Sequence, residues 1–392
     1  MDPRRNPFAP GAGTPPPELA GRDALRERVA IALDRIRAGR AAQSAILYGL
    51  RGVGKTVLLS EMRKSAEREG IAAISIESPE DRSLPAVLAP ALRAGLLRLS
   101  RVQQLSASVT RALKALAGFV RLKVAYADME VALDFDPEPG LADSGDLESD
   151  LADLVQAAGE AAKAHDTAFV LFIDELQYVA ERELAALITA LHRANQHQFP
   201  ITLVGAGLPQ LLGRMGRAKS YAERLFIFEP VAALDLQAAT LAIRNPIEDE
   251  GESISDEAMA QIFTETQGYP YFLQEWGKQS WDVAQTSPIS ADDVATASIR
   301  ALAQLDSSFF RVRFDRLTPS EKRYMRAMAS LGPGPHRSGE IAGQLGVKVT
   351  SVGPTRNALI QKGMIYSPDH GDTAFTVPMF DAYMRRIMPE EF

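Results

Sequence analysis

Gly49-Leu50-Arg51-Gly52-Val53-Gly54-Lys55-Thr56 is the stretch of sequence that decides the fold. It matches the pattern Gly-x-x-x-x-Gly-Lys-Ser/Thr. It lies between a short apolar run, Ala45-Ile46-Leu47-Tyr48, and a helical pattern from about Lys55 to Glu69. The run is too brief for a helix, so the order is strand, turn, helix, which is the context the pattern requires. The residue types follow from chemistry. Gly49, Gly52 and Gly54 let the loop curl, so that successive backbone N–H groups, through Val53 and on to Val57, point inward at phosphate oxygens. The helix N-terminus adds its positive end. Lys55 brings a point charge to the β- and γ-phosphates, and the Thr56 hydroxyl suits Mg²⁺. A chance match to this pattern is expected in roughly one chain in a hundred, and the strand and helix flanks make it rarer still.

A second stretch completes the chemistry. Phe169-Val170-Leu171-Phe172-Ile173 is apolar at every position, as in a strand buried on both faces of a parallel sheet. It ends in Asp174-Glu175, and two carboxylates there are costly unless a cation or water receives them. Asp174 is expected in the Mg²⁺ shell, and Glu175 is expected to polarise an attacking water.

Working outward, Leu25, Val29, Leu33 and Ile36 recur at helical spacing between Gly21 and Arg40. Strands are expected at Ala72 to Ile76, Ile201 to Val204 and Phe226 to Phe228, and helices at about 84–118 (two blocks), up to about Lys163, and at 179–196. Alternation at Val120, Leu122, Val124, Val131 and Leu133 suggests a hairpin over 120–134. Strands alternating with helices indicate an α/β fold, a parallel sheet flanked by helices. The expected domains are a flexible arm at 1–18, a core at 19–232 with an insertion at about 84–148, a helical lid with connecting helix at 233–317, and a separate module at 318–392.

Composition narrows the function. A chain of 392 residues, 46% of them hydrophobic, can bury two or three domain cores. A net charge of −7 argues against a protein that coats nucleic acid without preference. With no cysteine, disulfides, thiolate metal sites and cysteine nucleophiles are excluded. The Pro/Gly-rich N-terminus lacks the apolar centre of a signal peptide, and no segment reaches the ~18 apolar residues of a membrane span. A cytoplasmic protein with no membrane contact is expected.

On the loop at 49–56 and the Asp174-Glu175 strand, the chain resembles the AAA+/STAND P-loop ATPases, in the branch of archaeal-type ATPases and origin-recognition initiators. Leu19-Ala20-Gly21-Arg22-Asp23 looks like the opening of that branch, and the resemblance implies that Gly21 and Arg22 line the adenine pocket. Gly268-Tyr269-Pro270 is similar to the Gly-x-Pro element through which Pro270 would approach the nucleotide. Ser220-Tyr221-Ala222-Glu223-Arg224 resembles the segment that carries an arginine finger, in which Arg224 would serve its own site or that of a second copy. The resemblance implies ATP and ADP as ligands, Mg²⁺ as cofactor, ATP hydrolysis as activity, and leaves homo-oligomers open. Relatives place a polar sensor after the strand at 201–204. Here that position is Gly205-Ala206-Gly207, unless Thr202 or Gln210 substitutes.

Residues 318–392 read as three helices and a β-hairpin wing. Thr318-Pro319-Ser320-Glu321 opens the first helix with a near capping box. Ser338 to Leu345 is the second, ended by Gly346. The third has Ser351 as its cap and Pro354 in its first turn. The module is similar to the winged helix-turn-helix of initiator-like relatives, whose third helix enters the DNA major groove. That implies Lys348, Arg356, Asn357 and Lys362 as contacts to duplex DNA. Nine Lys/Arg face seven Asp/Glu here, a weak positive balance that leaves a protein partner as the alternative.

Overall fold

The computed structural model describes residues 1–11, 13–78, 82–99, 106–123, 135–369 and 371–389. These fall into two compact units. One comprises Asp23–Gly49 and Lys55–Pro230; the other comprises Met1–Arg22, Leu50–Gly54 and the chain from Val231 onward.

The first unit is built on five parallel strands, β1 (Ser44–Tyr48), β2 (Ala72–Glu77), β3 (Phe169–Asp174), β4 (Ile201–Gly207) and β5 (Phe226–Pro230), in the order β2-β3-β4-β1-β5. Every residue of β3 and β4 is buried, which is why their sequences run apolar without alternation. In register, Ile173 lies beside Gly205 and Tyr48 beside Gly207. The carboxyl ends of β1, β3 and β4 therefore come together, where open α/β sheets hold their ligands. Among the described residues, this unit also carries eight helices: α1 (Asp23–Arg37), α2 (Lys55–Arg68), α3 (Leu84–Leu99), α4 (Ala107–Lys123), α5 (Leu147–Ala164), α6 (Glu181–Gln196), α7 (Gln210–Ala218) and α8 (Ala222–Leu225). The buried face of α1 is the stripe Leu25, Val29, Leu33 and Ile36.

Helix α4 corrects one expectation. It continues through residues 120–123, where a hairpin was expected, and the remainder of that hairpin, 124–134, lies outside the described residues. Ala112, Leu113, Ala115, Leu116, Phe119 and Val120 are all buried. Their spacing follows the helical period, and Val120, where the alternation was expected to begin, belongs to that stripe. Helices α3, α4 and α5 share one core with β2 and β3 through Leu88, Leu92, Leu113, Leu116, Ile74 and Phe169. Each large apolar side chain so buried contributes roughly 1.5–3 kcal/mol of transfer free energy.

The second unit carries α9 (Leu236–Asp249), α10 (Asp256–Thr266), α11 (Pro270–Val283) and α12 (Ala291–Gln304), then a π-helical turn Leu305–Phe310 and α13 (Arg311–Asp315). Trp276, Trp281, Phe272 and Phe310 are fully buried in it. The N-terminal residues, expected to form a flexible arm, are docked at their start. Phe8 is buried at Gly277, where an added Cβ would lie 2.9 Å from its ring, and the Trp281 indole donates to the Asp2 carbonyl at 2.9 Å. One aromatic anchor and a few backbone bonds outweigh what the Pro/Gly content suggests.

The C-terminal part comprises α14 (Pro319–Ser330), β6 (His336–Arg337), α15 (Ser338–Gln344), α16 (Val349–Gln361), β7 (Ile365–Tyr366), β8 (Asp372–Phe375) and α17 (Phe380–Ile387). The short strands form an antiparallel sheet ordered β6-β8-β7. The capping box of Thr318 and Glu321 is present. Ser351 does not cap α16. The helix already starts at Val349, the Ser351 hydroxyl donates to the Lys348 carbonyl at 2.6 Å, and Pro354 lies inside the helix. Strand β6 and helix α17 had no clear sequence signal, one being two residues long and the other two turns.

Candidate active site

In the sheet unit, Lys55 and Thr56 open α2 and Asp174 closes β3. Lys55 is 7% exposed, and its Nζ donates to the Gly49 carbonyl at 2.9 Å. The Thr56 hydroxyl donates to Asp174 Oδ2 at 2.6 Å, and the Glu175 backbone N–H donates to Asp174 Oδ1 at 2.8 Å. One hydroxyl and one carboxylate side by side are hard oxygen donors of the kind Mg²⁺ takes, with water and phosphate supplying the rest. Among the described residues there is no cluster of three or more His, Cys, Asp or Glu that would hold a metal alone. The donor set thus fits a cation that arrives with a phosphorylated ligand.

Glu175 has a left-handed backbone, φ 53° and ψ 37°, and precedes the 3-10 turn Leu176–Tyr178. For a side chain with a Cβ this conformation costs on the order of 1–2 kcal/mol. The strain turns the chain sharply after β3, at the carboxyl end of the sheet, where Asp174 and Glu175 lie. The Gln177 amide donates to the Glu175 carboxylate, and its oxygen accepts from the Leu208 N–H at 3.0 Å. The Arg214 guanidinium donates to the carbonyls of Gln177 and Val179, and burial pulls its pKa below the ordinary value. Sequence reading missed Gln177 and Arg214. The only signal was a Gln two residues after the paired acids, with no periodicity to single it out.

Thr202 does not substitute for a polar sensor: it sits near the opposite end of β4, where its hydroxyl bonds that of Ser44 at 2.9 Å. Five residues of strand place it roughly 16 Å from Gly207. Gln210 opens α7 with its amide oxygen buried and, among the described residues, without a hydrogen-bond partner. Arg224 is exposed on α8.

In the second unit, the loop residues Leu50–Gly54 are held by their neighbours. Gly52 has φ +85°, and an added Cβ would lie 3.0 Å from the Tyr269 ring and 3.3 Å from Tyr271, so glycine is required twice over. The Tyr271 N–H donates to the Gly52 carbonyl at 3.3 Å. Arg51 donates through its N–H to the Thr376 carbonyl at 3.2 Å and through Nε to Gly363 at 3.4 Å. Val53 is buried, and Pro270 opens α11. Phe309 stacks on Tyr271 with ring centres 4.5 Å apart, and Arg313 lies 3.9 Å over Phe309. Burial, then the nearby Arg51, pulls the Arg313 guanidinium down to about 10. Gly21, with φ +69°, packs at Ala238, and Arg22 donates to the Ala232 carbonyl.

The four residues expected at DNA divide evenly. Lys348 and Asn357 are exposed. Arg356 was expected to be free on the helix surface, but it donates to Thr373 Oγ1, Ser367 Oγ and the Asp372 carbonyl, each at 2.9 Å. Lys362 likewise bonds Glu321 at 2.7 Å and the Arg316 carbonyl at 3.1 Å. Long cationic side chains reach carbonyls on neighbouring elements, a reach that helix position alone does not reveal.

Comparison with known proteins agrees with this geometry. Residues 18–204 match the family model of the AAA ATPase domain, and residues 307–384 match a Domain of unknown function (DUF8462). No curated protein matches the chain in sequence. A Walker-type ATPase of Pyrococcus abyssi has a similar structure, with a TM-score of 0.59 and 16% identity over 95% of this chain and 98% of its own. The Thermotoga maritima RuvB Holliday junction branch migration motor gives 0.44 at 16% identity, covering 91% of this chain and 92% of its own. The Aeropyrum pernix ORC1 protein, solved in complex with DNA, gives 0.44 at 15% identity over 95% and 94%. The match over residues 18–204 is to the AAA ATPase domain, and the loop at 49–56 and the five-stranded parallel sheet are those of a P-loop NTPase fold.

Proposed function

We propose that the protein is an ATP-hydrolysing switch whose nucleotide state controls a C-terminal winged-helix module. The observation that carries the chemistry is the pair Thr56–Asp174, 2.6 Å apart and next to Glu175. Thr56 and Asp174 would hold Mg²⁺, which when bound neutralises charge on the phosphates. Lys55 exchanges its bond to the Gly49 carbonyl for phosphate oxygens. Glu175 orients a water and takes its proton as the water oxygen bonds to the γ-phosphorus. The bond to the β–γ bridging oxygen breaks, giving ADP and phosphate. Arg224, exposed on α8, is able to serve a second copy.

Control of the module is supported by the bonds of the loop. Thr376 and Gly363, which flank the last strands of the module, accept from Arg51. A ligand that reshapes the loop acts on those bonds, and by linkage the module acts back on nucleotide affinity. A protein partner is favoured over duplex DNA. Arg356 and Lys362 are engaged within the fold, while Val347 and Val349, 47% and 52% exposed, flank Lys348. An apolar pair around one lysine suits a protein surface better than a phosphate backbone.

Steady-state ATP hydrolysis by the wild type and Glu175→Gln, with and without duplex DNA, tests both parts. Turnover that the substitution abolishes and DNA leaves unchanged is the expected result. Turnover altered by DNA, with retention that falls steeply as salt rises, would restore the DNA reading. Turnover that survives the substitution would remove Glu175 as the base.

A further inference from the structure

We propose that Gln177 is the positioning residue of the hydrolytic centre, orienting the Glu175 carboxylate and tying it to the end of β4. This inference rests on the ATPase reading above. A side-chain amide has one donating and one accepting end. The Leu208 N–H can only donate, so the Gln177 oxygen must face it, at 3.0 Å. The NH₂ end is then turned toward Glu175, whose carboxylate oxygen accepts from it. The amide has no alternative orientation that keeps both bonds.

The surroundings are fitted to this arrangement. Gln177 is 5% exposed, and a Cβ on Gly207 would sit 2.9 Å from its oxygen, so only glycine leaves room for the amide. Arg214 on α7 grips the carbonyls of Gln177 and Val179, so the turn that carries Gln177 is fixed to the helix after β4. One uncharged group therefore joins the end of β3, where the base sits, to the end of β4. Its lack of charge matters. A lysine here would bind Glu175 as an ion pair, while an amide orients the carboxylate through a hydrogen bond alone. Position 177 thus supplies the polar group that Gly205, Ala206 and Gly207 lack.

Two substitutions in the full-length chain test this. Gln177→Glu keeps the shape and the acceptor for the Leu208 N–H but has no donor for Glu175. Gln177→Met removes both bonds. Turnover is measured at saturating Mg-ATP, affinity with a non-hydrolysable ATP analogue, and folding by thermal melting. The expected result for Gln177→Glu is a fall in kcat of about tenfold to a hundredfold, the scale of a misplaced catalytic group. Analogue affinity should stay within about twofold and the melting temperature close to wild type. Gln177→Met should show the same kcat loss. A purely structural amide predicts the opposite pattern: Gln177→Glu at wild-type kcat, with only Gln177→Met impaired and only through melting. That result overturns the proposal, as does a rise in kcat in Gln177→Glu. Failure of the ATPase reading would look different, because the wild type would then show no turnover sensitive to Glu175→Gln.

Discussion

The end of β3 and helix α16 both drew attention through charged and polar residues, and the structure treats them in opposite ways. At β3, Thr56, Asp174, Glu175 and Gln177 bond one another within a few ångströms, and Asp174 and Gln177 are each less than a tenth exposed. Grouping two carboxylates there works against folding unless a ligand compensates. On α16, Arg356 and Lys362 donate to groups of their own module and hold it together. A short carboxylate at a strand end has few places to go. A long cation has many, so its presence on a candidate recognition helix says less about a ligand.

The largest effect expected from this contrast is at the base. Glu175→Gln should lower ATP turnover by about 10²- to 10⁴-fold, the usual worth of a general base, with nucleotide still bound in an equilibrium assay. Retained turnover would mean that the cluster at β3 is structural after all. Next comes the metal. Chelation of Mg²⁺ should stop hydrolysis, and Thr56→Val should raise the Mg²⁺ concentration for half-maximal turnover by about tenfold or more, as loss of a metal-site group does. An unchanged Mg²⁺ dependence would take Thr56 out of the shell.

On the other side of the comparison, Arg356→Met removes three hydrogen bonds and should destabilise the protein by roughly 2–3 kcal/mol. Lys348→Ala should stay within about 0.5 kcal/mol, as for most exposed positions. Chemical denaturation distinguishes the two, and equal effects would erase the difference drawn between engaged and exposed cations. The smallest effect concerns Glu321. Burial pushes its carboxyl up, but bonds from Lys362 and Thr318 more than offset this, and its pKa lies below the ordinary 4.5. A carboxylate depressed on folding stabilises above its unfolded pKa, and that contribution is lost as pH falls through the folded value. Unfolding free energies of wild type and Glu321→Gln should therefore differ at neutral pH by on the order of 1 kcal/mol, and converge as pH falls through the folded pKa, which lies below 4.5. A constant gap across that range would assign the effect to packing.

Much of the site was legible because it is local. The loop at 49–56 and the Asp-Glu pair at 174–175 are fixed by backbone geometry and by phosphate and metal chemistry, which dictate residue types at set spacings. The stripe Leu25, Val29, Leu33 and Ile36 and the Thr318–Glu321 capping box depend on helical periodicity in the same way. The misreading at 120–123 was also local, the last turn of a helix taken for the start of a hairpin.

What the sequence determined by itself was the P-loop α/β fold, its strand-loop-helix opening and the choice of Lys55, Thr56, Asp174 and Glu175 as candidate site residues. Only the tertiary structure decided that Gln177 meets Leu208, 31 residues away, that Arg356 is held by Thr373 and that Phe8 docks at Gly277. The physical reason is one of range. Propensity and motif chemistry act over a few residues, whereas the partner of a buried amide or a long cation is set by which distant elements the packed core brings within about 3 Å.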